Sequence, residues 1–309
     1  MSMPQFVRVC EMGARDGLQN EHAVVSTDDK VRYIDLLSET GLTLIEATSF
    51  VSPKAIPQLA DAADVFSRIR KKPGVRYPVL IPNLHGLERA KEAGANAIAV
   101  FTAASEEFTK RNINMTIDQS LETFRDVVRN AKENAFWVRG YVSTAFGSPF
   151  GDRVIPSLVV DVTLKLFEMG CDEVSIGDTI GVGVPSQVDE LVPLLLRECA
   201  VDKIALHFHD TRGTALANVY AALQHGIAIF DSSSGGLGGC PYAPGATGNL
   251  GTEDLLYMLH GMGIETGVDL DKVRAASRFI AGVLGHELTS KTFQALERTL
   301  RPGSGVAAP

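Results

Sequence analysis

The chain has 309 residues, 45% hydrophobic and 21% charged, which places it among folded globular proteins and excludes extensive disorder. A formal net charge of −8 excludes a surface built to attract nucleic acid or anionic lipid by bulk electrostatics. No apolar run approaches the roughly 20 residues of a membrane span, and the four cysteines, Cys10, Cys171, Cys199 and Cys240, lack the CxxC spacing of a structural zinc site or redox pair.

The opening MSMPQFVRVCEMG passes directly into a strand-like run, leaving no room for a secretory or transit segment, so a cytoplasmic protein is expected. Short β-branched runs then alternate with stretches of helical period. The strand candidates are Val7–Met12, Leu42–Ala47, Tyr77–Ile81, Ala97–Phe101, Trp137–Ser143, Glu173–Ile176, Lys203–His209 and Ile227–Ser232. Between them the spacing predicts helices over Asp28–Glu39, Ala55–Arg70, Leu84–Ala93, Ile117–Asn134, Pro156–Met169, Ser186–Cys199 and Thr214–Gln224, several followed by glycine. A doubly wound open sheet alternates in the same way. Eight strand–helix units over about 250 residues match the size of a closed (β/α)8 TIM barrel, which is the expected fold class. Residues 1–300 are expected to form one catalytic domain, with Glu253–Gly261 as the last barrel helix and Leu270–Leu284 as a C-terminal helical extension; residues 301–309 read as a disordered tail.

In such a barrel, chemistry belongs at the C-terminal ends of the strands. Arg15, Asp16, Gln19 and Asn20 follow the first strand, Glu46 lies in the second, Asp178 and Thr179 end the sixth, and the seventh contains His207-Phe208-His209. Residues two apart on a strand share a face, so both imidazoles point to one place, with Ala205 of the same inward parity and Ile204, Leu206 and Phe208 facing the helices. A bare HxH is more often one core histidine and one solvated one. Asp16 and Asn249 at the same mouth raise the metal reading, giving a mixed nitrogen and oxygen set suited to Mg²⁺ or Mn²⁺. Arg15 beside Asp16 reads either as a surface ion pair or as a partner for an inward Glu46. Asp178 has two readings, a turn device or a substrate contact. The glycine-rich segment Gly235–Gly251 suggests a loop that approaches a ligand or moves as a lid, and Cys240 on it is either indifferent or a proton donor.

Seven segments, RDGLQNE (15–21), EATSFVSPK (46–54), IPNLHGLERAKEAGA (81–95), FTKRNIN (108–114), GDTIGVG (177–183), HFHDTRG (207–213) and GGLGGCPYAPGATGNLGTEDL (235–255), occur in an order that resembles the 3-hydroxy-3-methylglutaryl-CoA (HMG-CoA) lyase family. The resemblance spans nearly the whole chain and is most specific in the first and last segments. It implies cleavage of HMG-CoA to acetyl-CoA and acetoacetate, a divalent cation on Asp16, His207, His209 and Asn249, a substrate-binding Arg15, and Cys240 as catalytic thiol. Proton removal from the 3-hydroxyl is assigned to Asp16 or His207, with Asp16 favoured because a cation-bound histidine has its lone pair occupied and Glu46 helping to set its charge. Gln19, Tyr141, Asp178 and Thr179 are expected to contact the acyl-CoA substrate, Glu11 and Glu253 to support the ligands from behind, and the protein to form a homo-oligomer, a dimer first of all. Ala14, Arg212 and Gly285-His286-Glu287 depart from the family's pattern. Rival readings are a lyase for a related branched 3-hydroxyglutaryl-CoA, a Claisen-type synthase working in the opposite direction, and a non-catalytic metal-binding barrel.

Overall fold

The structure is a computed structural model and describes residues 3–239 and 248–299. Its strands are β1 (Arg8–Glu11), β2 (Leu44–Ile45), β3 (Thr48–Ser49), β4 (Val79–Leu80), β5 (Ala97–Ala103), β6 (Trp137–Ser143), β7 (Glu173–Asp178), β8 (Ile204–Phe208) and β9 (Ile229–Ser232). All pair in parallel, in the order β2-β1-β9-β8-β7-β6-β5-β4-β3. The two ends of that order are pieces of one stave. Ile45 N donates to Arg76 O (3.0 Å), Ala47 N to Pro78 O (3.0 Å) and Glu46 N to Glu11 O (2.9 Å), so the sheet closes on itself as the expected (β/α)8 barrel.

The second stave, expected as one run over Leu42–Ala47, is split. The return bond across this ladder would come from the nitrogen of residue 78, and Pro78 has no N–H to give. The helix expected over Ala55–Arg70 is shorter than its pattern suggested. Only Ala62–Arg68 is α-helical, preceded by a single 3₁₀ turn at Pro57–Leu59. The buried Lys30 reaches into that turn, its Nζ donating to Gln58 O (2.5 Å) and Asp61 Oδ1 (2.7 Å), and this tether competes with helix continuation. A helix over Glu106–Ile113, capped by Ser105, and a last one over Lys291–Thr299 were not anticipated.

Alternation along β8 follows the parity the sequence implies. Ala205 packs inside the barrel with Cys10, Met12, Leu44, Leu80, Ala99, Tyr141 and Ile229, while Ile204, Leu206 and Phe208 join the layer between sheet and helices. The barrel interior therefore mixes these apolar side chains with the buried Arg139, Ser175 and Asp231, and is polar at its mouth. No helix of the described residues is long and apolar enough to cross a membrane.

Candidate active site

After β1 the chain makes one wide π-type turn over Gly13–Gly17, in which the Asp16 and Gly17 amides both reach Met12 O (2.8 and 3.2 Å). Such turns add a residue to the local winding and re-aim side chains. Here the turn points Arg15 and Asp16 over the barrel mouth. Arg15 is 7% exposed; its Nε donates to Glu46 Oε2 (2.5 Å) and its Nη1 to Asp16 Oδ1 (2.7 Å), so the adjacent charges are a buried bridge between two carboxylates and not a surface pair. Burial pushes the Glu46 carboxyl up against the pull of Arg15. For Asp16 burial acts in the same sense, but Arg15, His207, His209 and the Asn249 amide outweigh it and hold its pKa low.

His207 and His209 close the other side. Their Nε2 atoms lie 3.1 Å apart, and each is 4.0 Å from Asp16 Oδ2. These three ligand atoms lie within 4.8 Å of one another. Asn249, bridged to His209 in the backbone, donates from Nδ2 to Asp16 Oδ2 and to Leu237 O (both 2.9 Å). Among the described residues its Oδ1 is buried without a hydrogen-bond partner, as is Nδ1 of His209. A buried amide oxygen without a donor is costly, and a cation bound by Asp16, His207 and His209 would relieve it. Burial, then the charge of His207, lowers the His209 pKa to about 4, so that ring is a neutral imidazole near pH 7, the form that binds metal. The donor set fits Mg²⁺ or Mn²⁺.

The cluster opens into a cavity of about 400 Å³. Gln19, Tyr141 and Thr179 line it, as does Gly239 from the glycine-rich loop, while Val51, Ala55, Ile56, Phe101 and Phe108 give it an apolar wall. Asp178 does not reach it. Its carboxylate accepts from the Val182 and Gly183 amides (3.0 and 2.9 Å), which is the turn device. Glu11 and Glu253 lie behind the site and touch none of the ligand atoms. Glu11 accepts from the Gly13 and Ser234 amides and Thr252 Oγ1 (each 2.8 Å), and Glu253 from the Gly235 amide (2.8 Å) and Ser277 Oγ, so the pair ties the first turn to the segment after β9. Cys240 lies outside the described residues, as does the tail 301–309.

The sequence reading missed Asp231, whose Oδ2 faces His207 Nδ1 at 3.2 Å, and Arg139, which holds Asp231 through Nη2 at 2.7 Å. Their signal was parity: Asp231 shares the inward face of Ile229, and Arg139 that of Tyr141. Of the departures from the family pattern, Arg212 has a role, its Nη1 donating to Ile180 O and Gly181 O (2.9 and 3.0 Å) and pinning the loop after β7.

The model of the HMGL-like family matches residues 6–280. The chain belongs to that family. Within it, the mitochondrial hydroxymethylglutaryl-CoA lyase of Bos taurus is 52% identical over 294 residues, 95% of this chain and 90% of its own length. The cytoplasmic 3-hydroxy-3-methylglutaryl-CoA lyase of Danio rerio is 53% identical over 293 residues, 95% and 88%. Among solved structures, the hydroxymethylglutaryl-CoA lyase of Pseudomonas aeruginosa superposes with a TM-score of 0.95 at 50% identity, covering 97% of this chain and 100% of that one. The HMG-CoA lyase of Acinetobacter baumannii, solved with coenzyme A and 3-methylmalate, gives 0.91 at 39%, covering 99% and 98%. Members of the HMGL-like family thus match the chain over nearly its full length.

Proposed function

We propose that the protein cleaves HMG-CoA to acetyl-CoA and acetoacetate. The observation that carries this is the meeting of Asp16, His207 and His209 at the floor of a cavity walled by Arg15, in a chain half-identical to lyases of that name. A bound Mg²⁺ or Mn²⁺ on these residues and Asn249 supplies Lewis-acid polarisation of substrate oxygens. Asp16 takes the proton of the 3-hydroxyl. The bond between C2 and C3 then breaks, C3 becoming the ketone of acetoacetate and the electron pair passing to C2 as the thioester enolate. Arg15, with Nε and one Nη1 hydrogen engaged by Glu46 and Asp16, keeps its remaining N–H groups for the enolate oxygen. Cys240 delivers its thiol proton to C2. Gln19, Tyr141 and Thr179 contact the acyl chain. The protein acts in the cytoplasm as a homo-oligomer, a dimer first of all.

The test is an assay of acetoacetate and acetyl-CoA release from HMG-CoA and from branched 3-hydroxyglutaryl-CoA analogues, with Mn²⁺ and after chelation. Cation-dependent release from HMG-CoA is expected. Cleavage confined to an analogue, or unaffected by chelation, overturns the reading.

A further inference from the structure

The two histidines present the same atom to the centre of the site but differ behind it. Nδ1 of His209 is buried without a hydrogen-bond partner among the described residues, whereas Nδ1 of His207 faces Asp231 Oδ2 at 3.2 Å. Asp231 is 1% exposed and lies one layer below the mouth, between β1 and β8. Both of its oxygens are engaged: Oδ1 takes Nη2 of Arg139 (2.7 Å), and Oδ2 takes Ser175 Oγ (2.8 Å) beside the imidazole. Arg139 is itself fully buried, donates from Nη1 to Tyr141 Oη (3.2 Å), and places Nε 2.9 Å from Glu173 Oε1. Neither Asp231 nor Arg139 lines the cavity.

We propose that Asp231, clamped by Arg139, is the positioning residue of the site: it fixes His207 in the tautomer with the proton on Nδ1 and the Nε2 lone pair aimed at the point shared with Asp16 and His209. An ionised carboxylate offers only lone pairs, and Arg139 beside it keeps a permanent positive charge in a place water does not reach. The imidazole nitrogen facing that carboxylate therefore carries the proton, which leaves the opposite nitrogen as a base. The hydrogen bond also stops the ring from turning about its χ2 axis. His209 has no such partner among the described residues, so the ligand set depends on His207 for its fixed geometry. Carboxylate–imidazole pairs behind cation sites act in this way, and losing one weakens cation affinity by about 10- to 100-fold. The inference rests on the cation reading above, but its first test does not need a cation.

Nitrogen-correlated NMR of the imidazoles in cation-free protein, at a pH high enough to neutralise His207, whose pKa Asp231 raises against burial, reads the tautomer directly, with the His207 signals identified by their loss in His207→Gln. Nδ1-protonated His207 is expected in the wild type. In Asp231→Asn the amide can present N–H to the ring, so His207 moves to the Nε2-protonated form and the Mn²⁺ dissociation constant rises about 10- to 100-fold. Ser175→Ala removes a competing donor and keeps the wild-type tautomer and affinity. Because Asp231→Asn leaves Arg139 buried with one carboxylate fewer, the charge-neutral pair Arg139→Gln with Asp231→Asn is the second variant, and it shows the same two changes. A wild-type tautomer with wild-type Mn²⁺ affinity in either variant overturns the proposal. Failure of the wild type to bind Mn²⁺ overturns the cation reading instead, while the tautomer still decides the role of Asp231.

Discussion

Arg15 Nε meets Glu46 Oε2 at 2.5 Å at the point where the second stave of the barrel is interrupted, so the guanidinium that overhangs the cavity is anchored by a carboxylate from inside the sheet. A planar fork can serve Glu46, Asp16 and a substrate oxygen at once, and a lysine ammonium on a flexible stem cannot. Arg15→Lys is expected to lower kcat by about 10²- to 10³-fold, the range seen when one donor to a developing oxyanion is lost, with a smaller change in KM. Steady-state kinetics with HMG-CoA decides it. A change confined to KM makes Arg15 an anchor for the ground state only.

The facing Nε2 atoms of His207 and His209, 3.1 Å apart, predict that the two imidazoles are lost to cation binding one at a time but matter together. His207→Ala and His209→Ala should each weaken Mn²⁺ binding and activity in parallel, because Asp16 and Asn249 offer only oxygen. Wild type should gain thermal stability with saturating Mn²⁺, about 2.7 kcal/mol at a hundredfold excess over the dissociation constant. Titration curves in both variants that overlay the wild type remove the ligand assignment.

The residues legible in the sequence are those whose geometry depends only on local period. The histidine pair is one, since strand alternation alone brings its two rings to one face. Asp231 and Arg139 obey the same alternation, but each is a single charge within an otherwise apolar strand, and nothing local says that the two strands bring them within 2.7 Å across the barrel. Asp178 was ambiguous because a carboxylate before a Thr-Ile-Gly turn suits either use, and its turn role is visible only in its bonds from the Val182 and Gly183 amides. The short helix Ala62–Arg68 was overestimated because its apolar pattern runs on through residues that Lys30 holds in another conformation. Tertiary tethers of this kind leave no periodic trace.

Glu253 gives the stability a pH dependence of known sign. Burial raises its carboxyl to about 7 from the ordinary 4.5. The native state therefore holds more protons than the unfolded chain between these values, so stability is greatest at the acid end of that window and falls as pH rises through it. A shift of this size corresponds to roughly 3 kcal/mol. Glu253→Gln keeps an acceptor for the Gly235 amide and gains a donor for Ser277 Oγ. It is expected to weaken the pH dependence, of which Glu11, also raised by burial to about 7, keeps a share, and to be more stable than wild type at pH 8. Urea unfolding at pH 5.5 and 8 checks this, and a variant less stable than wild type at both values contradicts it.

Gly238 has φ +114°, and a Cβ there would lie 2.5 Å from Asn249 Nδ2, which is held by Asp16 and Leu237 and has little freedom to retreat. Gly238→Ala should displace the amide and weaken Mn²⁺ binding, in addition to a backbone strain of about 1–3 kcal/mol. Gly94→Ala is the control. Gly94 has φ +82° with nothing near its absent Cβ, so the same strain should appear without any loss of cation affinity. Equal Mn²⁺ affinities in the two variants would show that Asn249 is not a ligand.

Gly239 lines the cavity alongside Arg15, Asp16, His207 and His209, and Cys240 follows it in the chain. A thiol has an ordinary pKa near 8.5, low enough to give up a proton to an enolate carbon near neutral pH, and far lower than that of an aliphatic hydroxyl. If Cys240 supplies that proton, Cys240→Ala should retain Mn²⁺ binding and lose turnover by about 10²- to 10⁴-fold, the usual weight of a general acid. Cys240→Ser should recover little of it, since similarity in size does not restore acidity. Alkylation of Cys240 should inactivate the enzyme, and substrate with Mn²⁺ should slow that inactivation by covering the sulfur. A serine variant with near-normal kcat, together with full activity after Cys240 is alkylated, assigns the proton to another donor.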